Sequence, residues 1–400
     1  MKDCVYLDNN ATTQVHEEVL AAMLPYLTLY YGNPSSMHTF GGQVGLAVKT
    51  SREQVASLLG AEPSEIVFTS CGTEGDNTAI HAALVAQPNK RHIITSKVEH
   101  PAVLNLCKNL EGKNYTVTYL SVNVQGQLDI SELEASLTQN TALVTLMYAN
   151  NETGVIFPIE QVGQLAKKYG AMFHVDAVQA VGKIPLNMKE STIDMLTLSG
   201  HKIHAPKGIG ALYVRRGTRF SPLLIGGHQE RGRRGGTENV PGIVALGKAA
   251  ELAESYLIME TREKGLRDYL EQTILTTISD TVLNGHAVQR LSNTSNIGFK
   301  FVEGEAILLS LNQYGIYASS GSACTSGSLE PSHVLRAMGL PYALLHGSIR
   351  FSLSRFTTHD QVQKVLEVLP GIIDRLRALS ASTNDDVDWP IERKQTALIK

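Results

Sequence analysis

Through the first two-thirds of the chain, short apolar runs alternate with stretches whose apolar positions recur at helical spacing. GGQVGLAVKTSREQVASLLG (41–60) has helical apolar spacing and ends on Gly60, a residue suited to stop a helix. EIVFTS (65–70) predicts a short buried strand, and TEGDNTAIHAALVA (73–86) a helix. RHIITS, YTVTYLSV, ALVTLMYA, AMFHVDAV and IDMLTLS predict further strands, with helical segments such as PIEQVGQLAKKYG (158–170) among them. Short β-rich runs alternating with helices imply an α/β fold, a mainly parallel sheet covered on both faces. Near residue 240 the pattern changes. Two long helical stretches (239–259 and 260–279) precede strands around NTSNIGFKF and GSIRFSLS and helices near 304–313, 331–338 and 358–379. This change marks a second, smaller α+β domain: 15–256 is expected to form the large domain, and 1–14 with 257–400 the small one. The tail STNDDVDWPIERKQTALIK is polar and aperiodic, so it is expected to be mobile.

Composition narrows the class of function. The 400 residues are 43% hydrophobic and 18% charged, as in an ordinary soluble globular chain. With 35 basic and 38 acidic residues the net charge is −3, which argues against nucleic acid or an anionic membrane as a partner. QERGRRGG (229–236) is the local exception. The N-terminus MKDCVYLDNN has no apolar core of a secretory signal, and no apolar stretch approaches membrane-spanning length. Cys4, Cys71, Cys107 and Cys324 are widely separated, with no C-x-x-C pair and no zinc spacing. A reducing cytoplasm is the expected compartment.

The polar signals gather where strands end, the edge at which open α/β sheets bind ligands. TSCGTEGDN follows one strand and opens a helix: Gly72 lets backbone approach a ligand, and Thr73 adds a hydroxyl beside exposed N–H groups. A capped helix start is the alternative, and no P-loop pattern occurs. FHVDAVQ ends an apolar strand on Asp176, with Gln179 three residues on. LTLSGHKIHAPKGIGALYV sets Ser199, His201 and Lys202 after another strand, with Lys207 as the competing lysine. A Schiff-base lysine, an acid for a pyridine nitrogen and a phosphate cup are what pyridoxal phosphate requires. SSGSACTSGS (319–328) surrounds Cys324 with residues that favour turns and movement, whereas a thiol used for packing would have apolar neighbours.

YLDNNATT, NPSSMH, TSCGTEGDN, VEHPAV, YANNETG, HVDAVQ, SGHKIHAPKGIGALYV, RRGGTENV and SSGSACTSGSLEPSHVLRAMG together closely resemble the cysteine desulfurases of the NifS/IscS type. The match runs in order from residue 6 to about residue 360, and the last motif is the most specific. The segments around Cys324 and LHGSIRFSLSRFTT are closer to the nitrogen-fixation branch. The resemblance implies a fold-type I pyridoxal phosphate enzyme, related to class V aminotransferases, with a seven-stranded large-domain sheet. It implies that L-cysteine is converted to alanine with a persulfide on Cys324. The sulfur would pass to an iron–sulfur scaffold protein, and Cys324 would touch metal only transiently in that transfer.

By motif, Lys202 resembles the Schiff-base lysine and proton carrier, Asp176 the partner of the pyridine nitrogen, and His100 the ring stacked on the cofactor. Asn151 and Gln179 resemble donors to the phenolic oxygen; Gly72, Thr73, Ser199 and His201 resemble phosphate contacts. Thr237 resembles a residue reaching the phosphate of a neighbouring subunit, which implies a homodimer with Arg231, Arg233 and Arg234 near the interface. Arg350, with Asn151, resembles the clamp on the substrate carboxylate, and Arg355 is its competitor. His204 and Ala205 stand where many relatives carry Tyr and Gly, and the C-terminal tail departs from the housekeeping relatives. Cys4, Cys71 and Cys107 are read as packing residues. An aminotransferase or selenocysteine lyase would share Lys202, Asp176 and His100, but transamination needs no thiol. A non-catalytic sulfur carrier would need no Schiff-base lysine.

Overall fold

The structure is a computed structural model that describes residues 4–257, 261–320 and 331–379. Its strands are β1 (Val5–Tyr6), β2 (Ile66–Thr69), β3 (His92–Ser96), β4 (Thr116–Leu120), β5 (Thr141–Met147), β6 (Met172–Asp176), β7 (Met195–Ser199), β8 (Gly210–Val214), β9 (Thr281–Leu283), β10 (Thr294–Phe299), β11 (Ile316–Tyr317) and β12 (Ser348–Ser352). Seven of them form one sheet in the order β2-β8-β7-β6-β5-β3-β4. Strand β8 runs antiparallel to both neighbours, and every other pairing is parallel.

The central strands are apolar runs without alternation because both sheet faces are covered. On one face Val55, Leu59, Phe68, Val175 and Leu196 share an apolar cluster with Leu246. On the other, Ile80, Ala83, Ile93, Val103, Leu143 and Met195 form a second. The helix Thr39–Leu59 ends at Gly60 in the left-handed conformation (φ 59°), as its sequence predicts. The sheet contains one strand that the apolar pattern does not reveal. GALYV (210–214) reads as the tail of a glycine-rich turn, yet it is the reversed strand β8, buried throughout. Gly210 is required at its start, since a Cβ there would lie 2.7 Å from the Leu198 carbonyl.

A third apolar cluster joins both ends of the chain: Val5 and Leu7 pack with Leu270, Ile297, Phe299 and Phe351. Its frame is the antiparallel sheet β12-β10-β9, the parallel pair β1–β11, and the helices Thr261–Thr277, Gly304–Gln313 and His359–Leu379. Val334, Leu335 and Met338 pack instead in the cluster on the first face of the large sheet. Among the described residues no helix is long and apolar enough to cross a membrane.

A buried ion pair holds the smaller sheet to its helix. Arg290 donates to both Glu271 oxygens at 2.6 Å, and the Ser295 hydroxyl donates to one of them at 2.6 Å. Glu271→Ala strands a guanidinium that is 7% exposed. Removing one partner of a buried pair costs about 3–5 kcal/mol, so denaturant unfolding should show a loss of that size, and an unchanged midpoint would refute this role.

Candidate active site

Because β8 alone is reversed, the C-terminal ends of β2, β3, β5, β6 and β7 open on the same sheet edge. The segments leaving those strands carry Gly72, His100, Asn151, Asp176 and Lys202 in turn. The topology thus brings together residues that are up to 130 positions apart in the sequence (202 − 72).

Lys202 closes the 3-10 turn Gly200–Lys202 directly after β7. Its Nζ donates to the carbonyls of Asn10 (2.5 Å) and Ala11 (2.8 Å), so residues 8–13 lie as a strap across the lysine. Thr13 N–H bonds the His201 carbonyl at 2.9 Å, and His201 Nδ1 lies 3.2 Å from Thr12 Oγ1. Burial, reinforced by Lys202 and Lys207, pushes His201 down to about 4, so its ring is neutral at pH 7.

Asn10, 1% exposed, is the hub of this strap. Its carbonyl also accepts from Gln179 Nε2 (2.9 Å), its Nδ2 donates to Thr294 Oγ1 (2.8 Å) and to the Asn151 carbonyl (3.1 Å), and its Oδ1 accepts from Asn293 (3.1 Å). Two residues earlier, Asp8 Oδ1 accepts from Arg350 Nη2 at 2.6 Å, and Arg350 Nη1 donates to the Asn151 carbonyl at 3.0 Å. Arg350 is 2% exposed, and its buried Nε has no partner among the described groups, leaving one donor of the fork for a further carboxylate. Its competitor Arg355 stacks 3.7 Å above the Tyr256 ring and among the described residues has no equivalent of the Asp8 and Asn151 contacts, although its buried Nη1 is likewise without a partner there. The motif YLDNNATT by itself assigns no role to Asp8 or Asn10. The available signal was three polar residues, Asp8, Asn9 and Asn10, directly after an apolar start.

Asp176 ends β6, and its Oδ1 accepts the Val178 N–H (2.9 Å). Burial raises its carboxyl above the ordinary range, opposed by His100, the Val178 N–H and Lys202. His100 caps the helix Pro101–Glu111 by accepting the Ala102 N–H at Nδ1 (3.1 Å), which puts the proton of its neutral ring on Nε2. Burial lowers its pKa despite the Asp176 charge. Two further buried acids neighbour Asp176 electrostatically. Asp76 is raised well above its usual value by burial and by Asp176. Glu99 reaches about 8 from the same causes, against a bond of 2.6 Å from Ser96 Oγ.

Glu99 yields a pH prediction. Its folded pKa of about 8 exceeds the ordinary 4.5, so the folded state holds the proton more tightly, and stability falls as pH rises between these values. Glu99→Gln should flatten that decline in the cofactor-free protein, by a few kcal/mol at the alkaline end. Melting temperatures against pH check it, and an unaltered slope would refute the shift.

At the opposite end of the site, the helix Gly72–Ala86 begins after Cys71, which is extended and makes no side-chain cap, so among the described residues no N-cap side chain serves the first-turn N–H groups. Gly75 allows the helix to approach the sheet: a Cβ there would lie 2.6 Å from Thr197 Cγ2. The acid of the first turn, Glu74, is engaged by Arg234 Nε (2.9 Å) and Ser70 N–H (2.8 Å); these bonds outweigh burial and hold its carboxyl below the usual range. Thr73 is exposed at this end, and Ser199 is buried at the end of β7. The basic run is therefore tied down: Arg231 bonds the Ile66 carbonyl (2.7 Å) and Arg233 the Ser64 carbonyl (3.1 Å). Thr237 beyond it is exposed. His204, unusual by motif, has φ 68° and is fixed by the Gln14 carbonyl (2.8 Å) and by the Phe356 ring edge-on to it.

Cys324 lies outside the described residues. Both flanks of its segment are held at the site. Ser319 exchanges backbone bonds with Arg350 (2.6 and 3.2 Å). Ser332 Oγ donates to Glu152 Oε2 (2.5 Å), and His333 Nε2 lies 2.9 Å from the Glu99 carbonyl. Cys107 is buried and pushed up to about 12, chiefly by burial, which suits packing and not nucleophilic chemistry. Among the described residues no group of three His, Cys, Asp or Glu side chains could hold a metal.

An amine, a buried acid and an uncapped helix start at one sheet edge fit an aldehyde–phosphate cofactor with a basic ring nitrogen. Comparison with known proteins agrees. The chain is 74% identical to the cysteine desulfurase of Trichormus azollae, over 98% of each chain. It is 57% identical to the cysteine desulfurase NifS of Azotobacter vinelandii, over 96% of this chain and 97% of the other. Among solved structures, a NifS-like protein superposes with a TM-score of 0.88 at 38% identity, covering 93% of this chain and 100% of that one. The aminotransferase class-V model matches residues 5–365, and the chain belongs to that family.

Proposed function

We propose that this chain is a pyridoxal phosphate-dependent cysteine desulfurase that converts L-cysteine to alanine and leaves the sulfur as a persulfide on Cys324. The observation that carries this reading is the convergence of Lys202, Asp176 and Arg350 on one sheet edge, with both flanks of the Cys324 segment anchored there. Pyridoxal phosphate, when bound, supplies the electron sink that weakens the substrate's Cβ–S bond.

The chain's own residues do the rest. The helix start at Gly72 and Thr73, with Ser199 and His201, holds the phosphate. Asp176 keeps the ring nitrogen protonated, and His100 covers the ring. Arg350 takes the substrate carboxylate with Asn151 beside it, and Asp8 holds the guanidinium in place between turnovers. Lys202 attaches the cofactor and, once released, carries the Cα proton. Cys324 as thiolate attacks the substrate sulfur: an S–S bond forms, the Cβ–S bond breaks, and its electron pair stays with the carbon that becomes alanine. The reaction balances, cysteine plus thiol giving alanine plus persulfide.

The proposal extends to a homodimer in which Thr237 reaches the neighbouring phosphate, supported by its exposure beside a firmly tied loop. It also includes an iron–sulfur scaffold protein as sulfur acceptor, in keeping with the name of the NifS relative. A division into 15–256 and 1–14 plus 257–400 is supported by the separate apolar clusters, with Val334, Leu335 and Met338 the part of 257–400 that packs on the large sheet.

The test is direct. Purified protein incubated with pyridoxal phosphate should turn yellow and form alanine from L-cysteine in step with released sulfide under a reductant. Protein that takes up no cofactor and stays colourless would overturn the reading.

A further inference from the structure

Lys183 is the charged group nearest the site that the proposed chemistry leaves without a task. It follows the turn after β6, and its Nζ donates to Gln179 Oε1 at 2.9 Å and to Asn10 Oδ1 at 3.4 Å. Gln179 in turn donates from Nε2 to the Asn10 carbonyl at 2.9 Å, the same carbonyl that receives Lys202 Nζ. Lys183, Gln179 and Asn10 thus form a closed circuit, to which Lys202 is joined through the Asn10 carbonyl.

The chemistry of each group fixes the direction of every bond. A protonated lysine only donates, so Oε1 of Gln179 must face it; a carbonyl only accepts, so Nε2 must face Asn10. The amide is therefore locked from both ends, and the second hydrogen of Nε2 is left to serve an acceptor in the site. If Lys183 is removed, Oε1 of a side chain only 6% exposed is buried without a donor. Such an atom is costly, and since a flipped amide would set Oε1 against the Asn10 carbonyl, the side chain relieves it only by tilting out of its place.

We propose that Lys183 is a positioning residue for the Lys202 site, acting through Gln179 by holding its amide so that Nε2 presents a hydrogen to the cofactor's phenolic oxygen. This rests on the pyridoxal phosphate reading above. Burial, reinforced by the charges of Lys202 and Arg350 and opposed by Glu263, brings Lys183 down to about 7; it retains N–H donors in either protonation state. Lys183 and Lys202 both border a cavity of about 460 Å³ whose lining also holds Arg262, Arg355, His204 and Glu263, so a longer side chain can be accommodated at 183.

The experiment uses the pyridoxal phosphate-loaded full chain and four variants: Lys183→Met, Lys183→Arg, Gln179→Ala and the Lys183→Met/Gln179→Ala double. Visible absorbance is titrated against pH, and melting temperature is recorded in parallel. A donor on the phenolic oxygen stabilises the deprotonated form of the bound chromophore, so its loss raises the titration midpoint. Lys183→Met should raise it by about one unit, tenfold in the equilibrium constant, Lys183→Arg should return it towards wild type, and the double variant should go no further than Gln179→Ala alone. A wild-type midpoint in Lys183→Met, or shifts that add in the double variant, would overturn the proposal. A lower melting temperature with an unmoved midpoint would overturn it too, since that is the signature of a structural lysine. Should Lys183→Met not fold, Lys183→Gln carries the same test, with an upward shift expected and a wild-type midpoint decisive against it. A wild-type protein with no visible band after loading would refute the function reading instead.

Discussion

Lys202→Ala is expected to abolish alanine formation from L-cysteine, by more than about 10⁴-fold, and to remove the visible absorbance of the loaded protein. The side chain combines two tasks, attachment of the cofactor and movement of the Cα proton, and no neighbour can take over both. Its position is set by the tight turn Gly200–Lys202 at the end of a buried strand and by the strap carbonyls of Asn10 and Ala11. Lys207, five residues on, is exposed and lies beyond that turn. Lys207→Ala should keep both colour and turnover. Spectra and alanine assays on the pair decide the matter, and the reverse pattern would refute the assignment of Lys202.

Cys324→Ala should be equally severe for activity and harmless to the chromophore. Sulfide release should fall below about a thousandth of wild type, with the absorbance of the Lys202-bound cofactor retained. The separation follows from the roles: cofactor binding draws on Lys202, Asp176 and the helix start, whereas sulfur abstraction needs a thiol. Chain geometry permits the encounter. Five residues separate Cys324 from Ser319, which is bonded to Arg350, and an extended chain covers at most about 17 Å over that span. Cys107 cannot substitute, because burial holds its thiol protonated. An aminotransferase of the same fold would keep its turnover in this variant, so retained activity would favour that rival.

Much of the architecture was legible because its signals are local. Helical spacing in 41–60, the unbroken apolar runs of β3, β5 and β7, and the change of pattern near residue 240 each report on contacts a few residues away. The candidate residues were legible for a related reason: a lysine, an acid and a glycine that end strands stand out against the apolar runs they interrupt. Strand β8 escaped because its five residues begin on a glycine required by the Leu198 carbonyl, a neighbour visible only in three dimensions.

The strap was hidden more deeply. Asn10 bonds Gln179, Lys202, Asn293 and Ser352, and Asp8 bonds Arg350, partners separated by 169 to 342 positions. No periodicity encodes such pairings, because periodicity records only which face of its own element a residue occupies. From the sequence alone came most of the element order, the α/β class and the candidates for the reactive lysine and thiol. Tertiary structure alone decided which polar groups meet: the Asp8–Arg350 pair, the Lys183–Gln179–Asn10 circuit and the buried acids beside Asp176. The reason is physical. Burial makes a polar group depend on a partner, and it is chain folding, not chain order, that selects which partner lies within hydrogen-bonding distance.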